Sequence, residues 1–331
     1  METRRLGRTK LVASRMGIGL AALGRPGYIN LGHAEDLQRH YEVAAMQAQT
    51  AAVLDAAWVA GVRYVDAARS YGRAEEFLAN WLASRHIAPD ALVVGSKWGY
   101  TYTAAWQVNA AQHEVKDHSV AVLGRQIGES RALLGDHLDL YQIHSATSES
   151  GVLENRPVLE ELARLRRDGL VIGLTLSGPQ QADTLRRAMR VRVAGEPLFD
   201  VVQATWNLLE PSAGTALQEA HAAGMGVIIK EALANGRLTR RNQDQAFTAQ
   251  QRLLHEVAAQ RSTTIDALAL AAVLAQPWAD VVLAGAATVE QMGSNLAATA
   301  VHWDGGVAER LATLVVPPQE YWATRGRLVW N

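Results

Sequence analysis

The 331 residues include no cysteine. Disulfides, thiolate zinc sites and cysteine nucleophiles are thereby excluded, and this usage fits a reducing compartment. Neither sign of charge dominates: 32 Lys plus Arg against 33 Asp plus Glu leave a net charge of -1. Without a broad basic field, sequence-independent binding to nucleic acid is not expected. No stretch reaches the roughly 18 uninterrupted apolar residues of a membrane span. The opening METRRLGRTKLVASRMGIGL also lacks the apolar core and small-residue cleavage site of a signal peptide. The expectation is a cytoplasmic protein with neither membrane nor nucleic-acid partners.

Against these absences stands a repeated unit of a short apolar run, a polar or Gly-containing loop and a longer helical stretch. Strands are predicted at 16–22, 63–68, 92–97, 138–144, 172–178, 201–207, 226–232 and 281–287, apolar nearly throughout as suits parallel strands buried on both faces. Helices are predicted at 46–60, 74–85, 119–134, 156–168, 179–190, 212–223, 248–275 and 289–298. Over the segment from Leu159 to Leu170, Leu159, Leu162, Leu165 and Leu170 interleave with Glu160, Glu161, Arg166 and Arg167, the pattern of an amphipathic helix.

Length alone suggests two domains at about 150 residues each. Eight strand–helix units account for about 300 residues of one α/β unit, a (β/α)8 TIM barrel over 1–331. A doubly wound open sheet is the rival; the count of eight favours closure. Residues 23–45 after the first strand, 98–118 after the third, and the tail beyond Pro317–Pro318 with Tyr321, Trp322 and Trp330 exceed what a barrel requires. All three are read as walls of one pocket, and the N-terminal segment around Gly7 as a hairpin closing the barrel bottom.

Four polar residues fall at or just after predicted strand ends: Asp66 and Tyr71 in VDAARSYG, Lys97 in VVGSKWG, and His144 in LYQIHS. In a barrel, adjacent strand ends converge on one mouth. A lysine beside a tyrosine would favour phenolate and lower the phenol's pKa from about 10. An aspartate would keep that lysine charged, and a histidine would hydrogen-bond a substrate oxygen. Such a set can deliver a proton to a carbonyl oxygen while hydride reaches its carbon.

These motifs carry a family resemblance. RRLGRTKLVASRMGIGLAALG, VDAARSYG, VVGSKWG and LDLYQIH resemble, in order and spacing, the signature segments of the aldo-keto reductases. The resemblance implies a barrel that binds a nicotinamide dinucleotide in extended form without a Rossmann domain, NADP(H) being expected over NAD(H). It places the catalytic tetrad on Asp66, Tyr71, Lys97 and His144. Consistently, no G-x-G-x-x-G opens a helix after a strand. Gly17, Gly19 and Gly24 serve tight packing at the mouth, or, for Gly19, approach of the cofactor.

Other family positions transfer less cleanly. The strand-five Ser-Asn pair falls on Thr175 and Leu176, leaving Thr175 or Ser177 for the carboxamide. Gln203 matches the glutamine that contacts it, with Trp206 nearby. Lys230 stands where an aromatic residue stacks on the nicotinamide, and it faces either the cofactor phosphates or the substrate. Leu233 and Arg237 follow on that loop, where Arg237, Arg240 and Arg241 form a basic group in reach of the pyrophosphate. LAGAATVEQMGSNLAA resembles the segment that binds the adenosine and its 2′-phosphate, through Gly285, Thr288, Gln291 and Asn295. Ala287 and Ser294 depart from it, standing where a serine or basic residue and a glutamate are common.

Tyr100, Tyr102 and Trp106, directly after Lys97, are candidates for substrate contact, Tyr100 and Trp106 foremost. His33 and His40, seven apart, would share a face of an exposed lid helix; no metal site is expected. The implied partner is a small carbonyl or sugar substrate, reduced to an alcohol or oxidised in reverse. Two other classes compete. One is a cofactor-sensing regulatory subunit with little turnover. The other is a metal-dependent barrel hydrolase, which would need ligands that no His-x-His or carboxylate cluster supplies.

Overall fold

A computed structural model describes residues 1–331. The chain begins with an antiparallel hairpin, β1 (Thr3–Arg5) and β2 (Val12–Ser14), then enters the first barrel strand, β3 (Met16–Gly19). A single helical turn, α1 (His33–Asp36), and α2 (Val43–Val59) follow, then β4 (Tyr64–Asp66), α3 (Ala74–Ser84) and β5 (Val93–Trp98). A second hairpin, β6 (Tyr100–Tyr102) with β7 (Glu114–Lys116), precedes α4 (Val120–Leu134) and β8 (Leu138–Ala146). Next come α5 (Arg156–Arg167), β9 (Val171–Leu176), α6 (Gln181–Ala188) and a short hairpin of β10 (Arg192–Val193) and β11 (Glu196–Pro197). The remainder is β12 (Val201–Thr205), α7 (Gly214–Ala222), β13 (Gly226–Lys230), α8 (Thr248–Gln260), α9 (Ile265–Leu274), β14 (Val281–Ala284), α10 (Val289–Leu296), α11 (Gly305–Leu311) and α12 (Pro318–Gly326).

Eight strands close in the order β3-β4-β5-β8-β9-β12-β13-β14, every neighbouring pair parallel. This is the (β/α)8 barrel anticipated from the alternating pattern, and the open-sheet rival is set aside. Most strands stop short of their predicted ends, because pairing ceases where the chain turns over the mouth. The predicted helix 248–275 is two helices: Ser262 takes a left-handed backbone at φ 50°, and Thr264 caps α9 by accepting the amide of Ala267. The threonine N-cap preference outweighs the helical periodicity that runs through the break.

Polar and apolar layers alternate up the barrel interior. At the bottom, Leu6 from the N-terminal hairpin packs with Tyr64, Val93, Leu140, Val201, Ile228 and Val281. Gly7, at φ 51°, lets that hairpin sit flush. A Cβ there would lie 2.3 Å from the amide nitrogen of Gly226 and 2.4 Å from the carbonyl of Gly224. Gly95 leaves the space that the Tyr64 ring occupies, since a Cβ would meet its hydroxyl at 2.5 Å. Gly17 and Gly24 are close-packed as expected, whereas Gly19 faces open space.

The floor therefore depends on backbone that cannot yield. Gly7→Ala is expected to lose about 2–4 kcal/mol, from a strained φ plus the clash; chemical denaturation showing wild-type stability would refute the tight seat of the hairpin.

Candidate active site

Above the apolar floor lies a buried ion pair. Asp66 ends β4 and Lys97 sits near the end of β5, the two strands running side by side in register. Lys97 Nζ donates to Asp66 Oδ2 and, at 2.9 Å, to the carbonyl of Ala67. Both side chains are essentially out of solvent. Burial lowers the lysine's pKa, and the aspartate opposes that shift. Gln203 (2.8 Å) and the Tyr64 hydroxyl (3.3 Å) also donate to Asp66 Oδ1. A carboxylate in low dielectric needs this set of donors.

Tyr71 returns over the pair on the loop after β4. That loop is pinned from outside the barrel. Arg69 bonds the fully buried Glu75, which also accepts from Ser96 (2.5 Å) and Ser130 (2.7 Å). The Arg69 amide donates to the carbonyl of Lys97 at 3.0 Å. Lys97 Nζ thereby stands 3.4 Å from the Tyr71 hydroxyl. His144 meets Tyr71 edge-on at 5.5 Å between rings and Tyr100 at 5.0 Å. Ser70 Oγ lies 3.4 Å from His144 Nδ1.

The structure corrects the expected electrostatics of the phenol. Burial pushes Tyr71 well above its ordinary value, the charge of Asp66 adds to this, and Arg25 only partly opposes it. Burial and the nearby carboxylate together keep the phenol in its protonated form. His144 is driven well below 6.5 by burial and then by Lys97, Lys230 and Arg25, so its imidazole is neutral.

A cavity of about 960 Å³ runs from this cluster to the N-terminal end of α10. Of the residues singled out from sequence, it is lined by Asp66, Tyr71, His144, Tyr100, Gly19, Ser177, Gln203, Lys230, Leu233, Gly285, Thr288, Gln291 and Asn295. Lys97 lies beneath it, reached through Tyr71. Four others do not line it. Thr175 is buried and accepts the amide of Ser145 at 2.8 Å, holding the end of β8. Trp206 packs edge-on against Trp278. Arg237 lies over the ring of Tyr321 at 5.3 Å, while Arg240 and Arg241 take the cavity wall. Trp106 donates to the carbonyl of Tyr41 at 2.6 Å and packs against Phe77, away from the mouth.

Sequence reasoning missed the charged residues of the rim. Arg25 Nη1 donates to the carbonyl of Ser70 and to Glu114, both at 2.9 Å, and its guanidinium lies 4.7–5.4 Å from the rings of Trp330, Tyr71 and Tyr28. Arg325 of α12 holds Glu231 through both carboxylate oxygens. Burial alone would raise Glu231, but Arg325 and Lys230 outweigh it and hold it at about 2. Lys230 donates to Thr205 at 2.9 Å, and burial brings it down to about 8.

The three long segments do converge as walls. Trp330 stacks on His113 at 3.9 Å, and Asn331 pairs with Tyr28 through the backbone in both directions. The lid-helix expectation fails. α1 is one turn long, ended by left-handed Gln38 and Arg39, with His33 buried and His40 exposed outside it.

Comparisons with known proteins agree with this architecture. The Aldo/keto reductase family profile matches residues 15–314. The uncharacterized oxidoreductase YqkF of Bacillus subtilis (strain 168) is 25% identical over 321 residues, 90% of this chain and 91% of that protein. A D-threo-aldose 1-dehydrogenase from a Pseudomonas species is 28% identical over 246 residues, 70% of each chain. An aldo-keto reductase of Bacillus halodurans, solved in holo form, superposes with a TM-score of 0.73 at 19% identity, covering 96% of this chain and 97% of that one.

The Asp66–Lys97 pair makes an asymmetric prediction. Asp66→Ala strands a buried ammonium and is expected to cost about 3–5 kcal/mol, whereas an apolar double replacement, Asp66→Leu with Lys97→Met, should recover most of that loss. Urea melts in which the double variant is no more stable than the single would refute this.

Proposed function

This chain belongs to the aldo/keto reductase family, and from its site we propose an oxidoreductase that moves hydride between a nicotinamide dinucleotide and a carbonyl carbon, with Tyr71 as proton donor. The observation that carries this reading is Lys97 Nζ held between Asp66 and the Tyr71 hydroxyl, with neutral His144 beside them at the mouth of one large cavity.

The lining fits an extended dinucleotide. Gly19 and Gly285 leave open space, and Asn235 Oδ1 is buried on the same wall without a hydrogen-bond partner. Gly19, Ser177 and Gln203 would hold the nicotinamide end, with Lys230 facing the adjoining phosphates; Leu233 and Asn235 lie along the middle; Gly285, Thr288, Gln291 and Asn295 would hold the adenosine. When bound, the nucleotide supplies or accepts the hydride.

The remaining steps fall to the protein. With Ser70 donating to Nδ1, His144 keeps its Nε2–H for the carbonyl oxygen and polarises it without adding charge. Tyr71 gives its proton to that oxygen as the carbon accepts hydride. Lys97 stabilises the phenolate left behind, and Asp66 keeps the lysine charged and aimed. The aromatic walls Tyr28, Tyr100 and Trp330 and the polar rim of Arg25 and Glu114 suit a small carbonyl compound bearing hydroxyls, the open-chain form of a sugar among them. The similarity to an aldose dehydrogenase supports that class.

Two measurements test the reading. Tyr71→Phe should lower kcat by about 10²- to 10⁴-fold while tryptophan emission still reports nucleotide binding; wild-type turnover in this variant would sink the assignment. Lys230 carries charge below pH of about 8 and loses it as pH rises through that value. Affinity for the anionic dinucleotide should therefore fall between neutral and mildly alkaline pH, and Lys230→Met should bind more weakly with a flat profile. A pH-independent wild-type affinity would show that this ammonium does not face the phosphates.

A further inference from the structure

We propose that the far end of the cavity selects a nucleotide without a 2′-phosphate, so that NAD(H) rather than NADP(H) is the cofactor of this chain. This rests on the oxidoreductase reading: with the nicotinamide beside Tyr71, the adenosine must occupy the opposite end of the same cavity, against α9 and α10.

A 2′-phosphate is a dianion exposed on the ribose, and sites that accept it present arginine or lysine with free donors. This end presents carboxylates. Asp266, in the first turn of α9, lines the cavity and accepts from Ser294 Oγ at 2.5 Å, and Ser294 is itself 3.3 Å from Thr264 Oγ1. The carboxylate is thus fixed by hydroxyls, with no cation neutralising it. Glu290, in the first turn of α10, lines the same end.

The two arginines in reach are not free to compensate. Arg241 is committed to both carboxylate oxygens of the buried Asp36 and to the carbonyl of Gly32 at 3.0 Å. Arg240 lies 3.8 Å from Glu290, both more than four-fifths exposed, so the guanidinium is already opposed by an acid of the same rim. At the start of α10, Ala287 offers no side-chain donor, and the side-chain oxygen of Gln291 turns back to accept the amide of Ala287 at 2.8 Å. A dianion placed here meets two carboxylates, one weakly paired arginine and the imidazole of His255. Ribose hydroxyls meet acceptors, the arrangement by which an acidic residue reads an unphosphorylated ribose.

The test is a tryptophan-fluorescence titration of the wild-type protein with NADH and NADPH separately, at one ionic strength. NADH is expected to bind at least about tenfold tighter, the scale of an unfavourable like-charge contact, and added salt should narrow the ratio by screening. Asp266→Asn and Glu290→Gln should each improve NADPH binding relative to NADH, and Ala287→Arg should shift the ratio further toward NADPH. Equal affinities, or tighter NADPH binding by the wild type, would overturn the inference and leave the oxidoreductase reading standing. Binding of neither nucleotide would overturn both.

Discussion

The arrangement of the mouth depends on one buried charge pair. Two ions out of water are stable only when each lone pair and proton finds a partner, and the barrel provides these from several strands. Asp66 takes donors from β4, β5 and β12 through Tyr64, Lys97 and Gln203, while Lys97 spends a further donor on the carbonyl of Ala67. The remaining direction of the ammonium points at Tyr71. Satisfying the ion pair thus fixes where the phenol can sit, and stability and chemistry are set by the same contacts. The cost appears in the phenol itself: burial first, and then the carboxylate that makes a buried lysine tolerable, raise the tyrosine's pKa.

Around that centre, precision comes from residues that never face the cavity. Glu75 gathers Arg69, Ser96 and Ser130 on the outer side of β5 and so fixes the loop that carries Tyr71. Thr175 holds the end of β8 by its Ser145 amide, and His118 reaches the carbonyl of His144 at 2.9 Å. These supports lie in separate segments of the chain, and each acts on the backbone beneath a functional side chain. The strand ends at the site are tied laterally, beyond the ladder hydrogen bonds.

The barrel and its four mouth residues were legible in the sequence because both are local signals. Apolar runs of strand length recur eight times, and Asp66, Lys97 and His144 interrupt such runs near their ends. The break in 248–275 was missed, because the helical periodicity on either side of Ser262–Thr264 runs on through it. Arg25, Glu114, Glu231 and Arg325 were not legible. Their meeting depends on loops and a terminal helix brought together from distant parts of the chain, and a charged residue in a loop has no local mark that tells a rim ion pair from a solvated side chain. Trp106 and Arg237 misled for the opposite reason. Their positions beside motif residues suggested the mouth, but the hairpin between β6 and β7 and the turn after β13 carry them to Phe77 and Tyr321.

The packed floor has one further consequence. With Leu6 and the Tyr64 layer filling the barrel below the ion pair, the Tyr71 end of the cavity is closed from beneath. Arg25, Glu114, Glu231 and Arg325 line the cavity at that end. A threshold of paired opposite charges has little net field, so it neither draws in one sign of ligand strongly nor retains it afterwards.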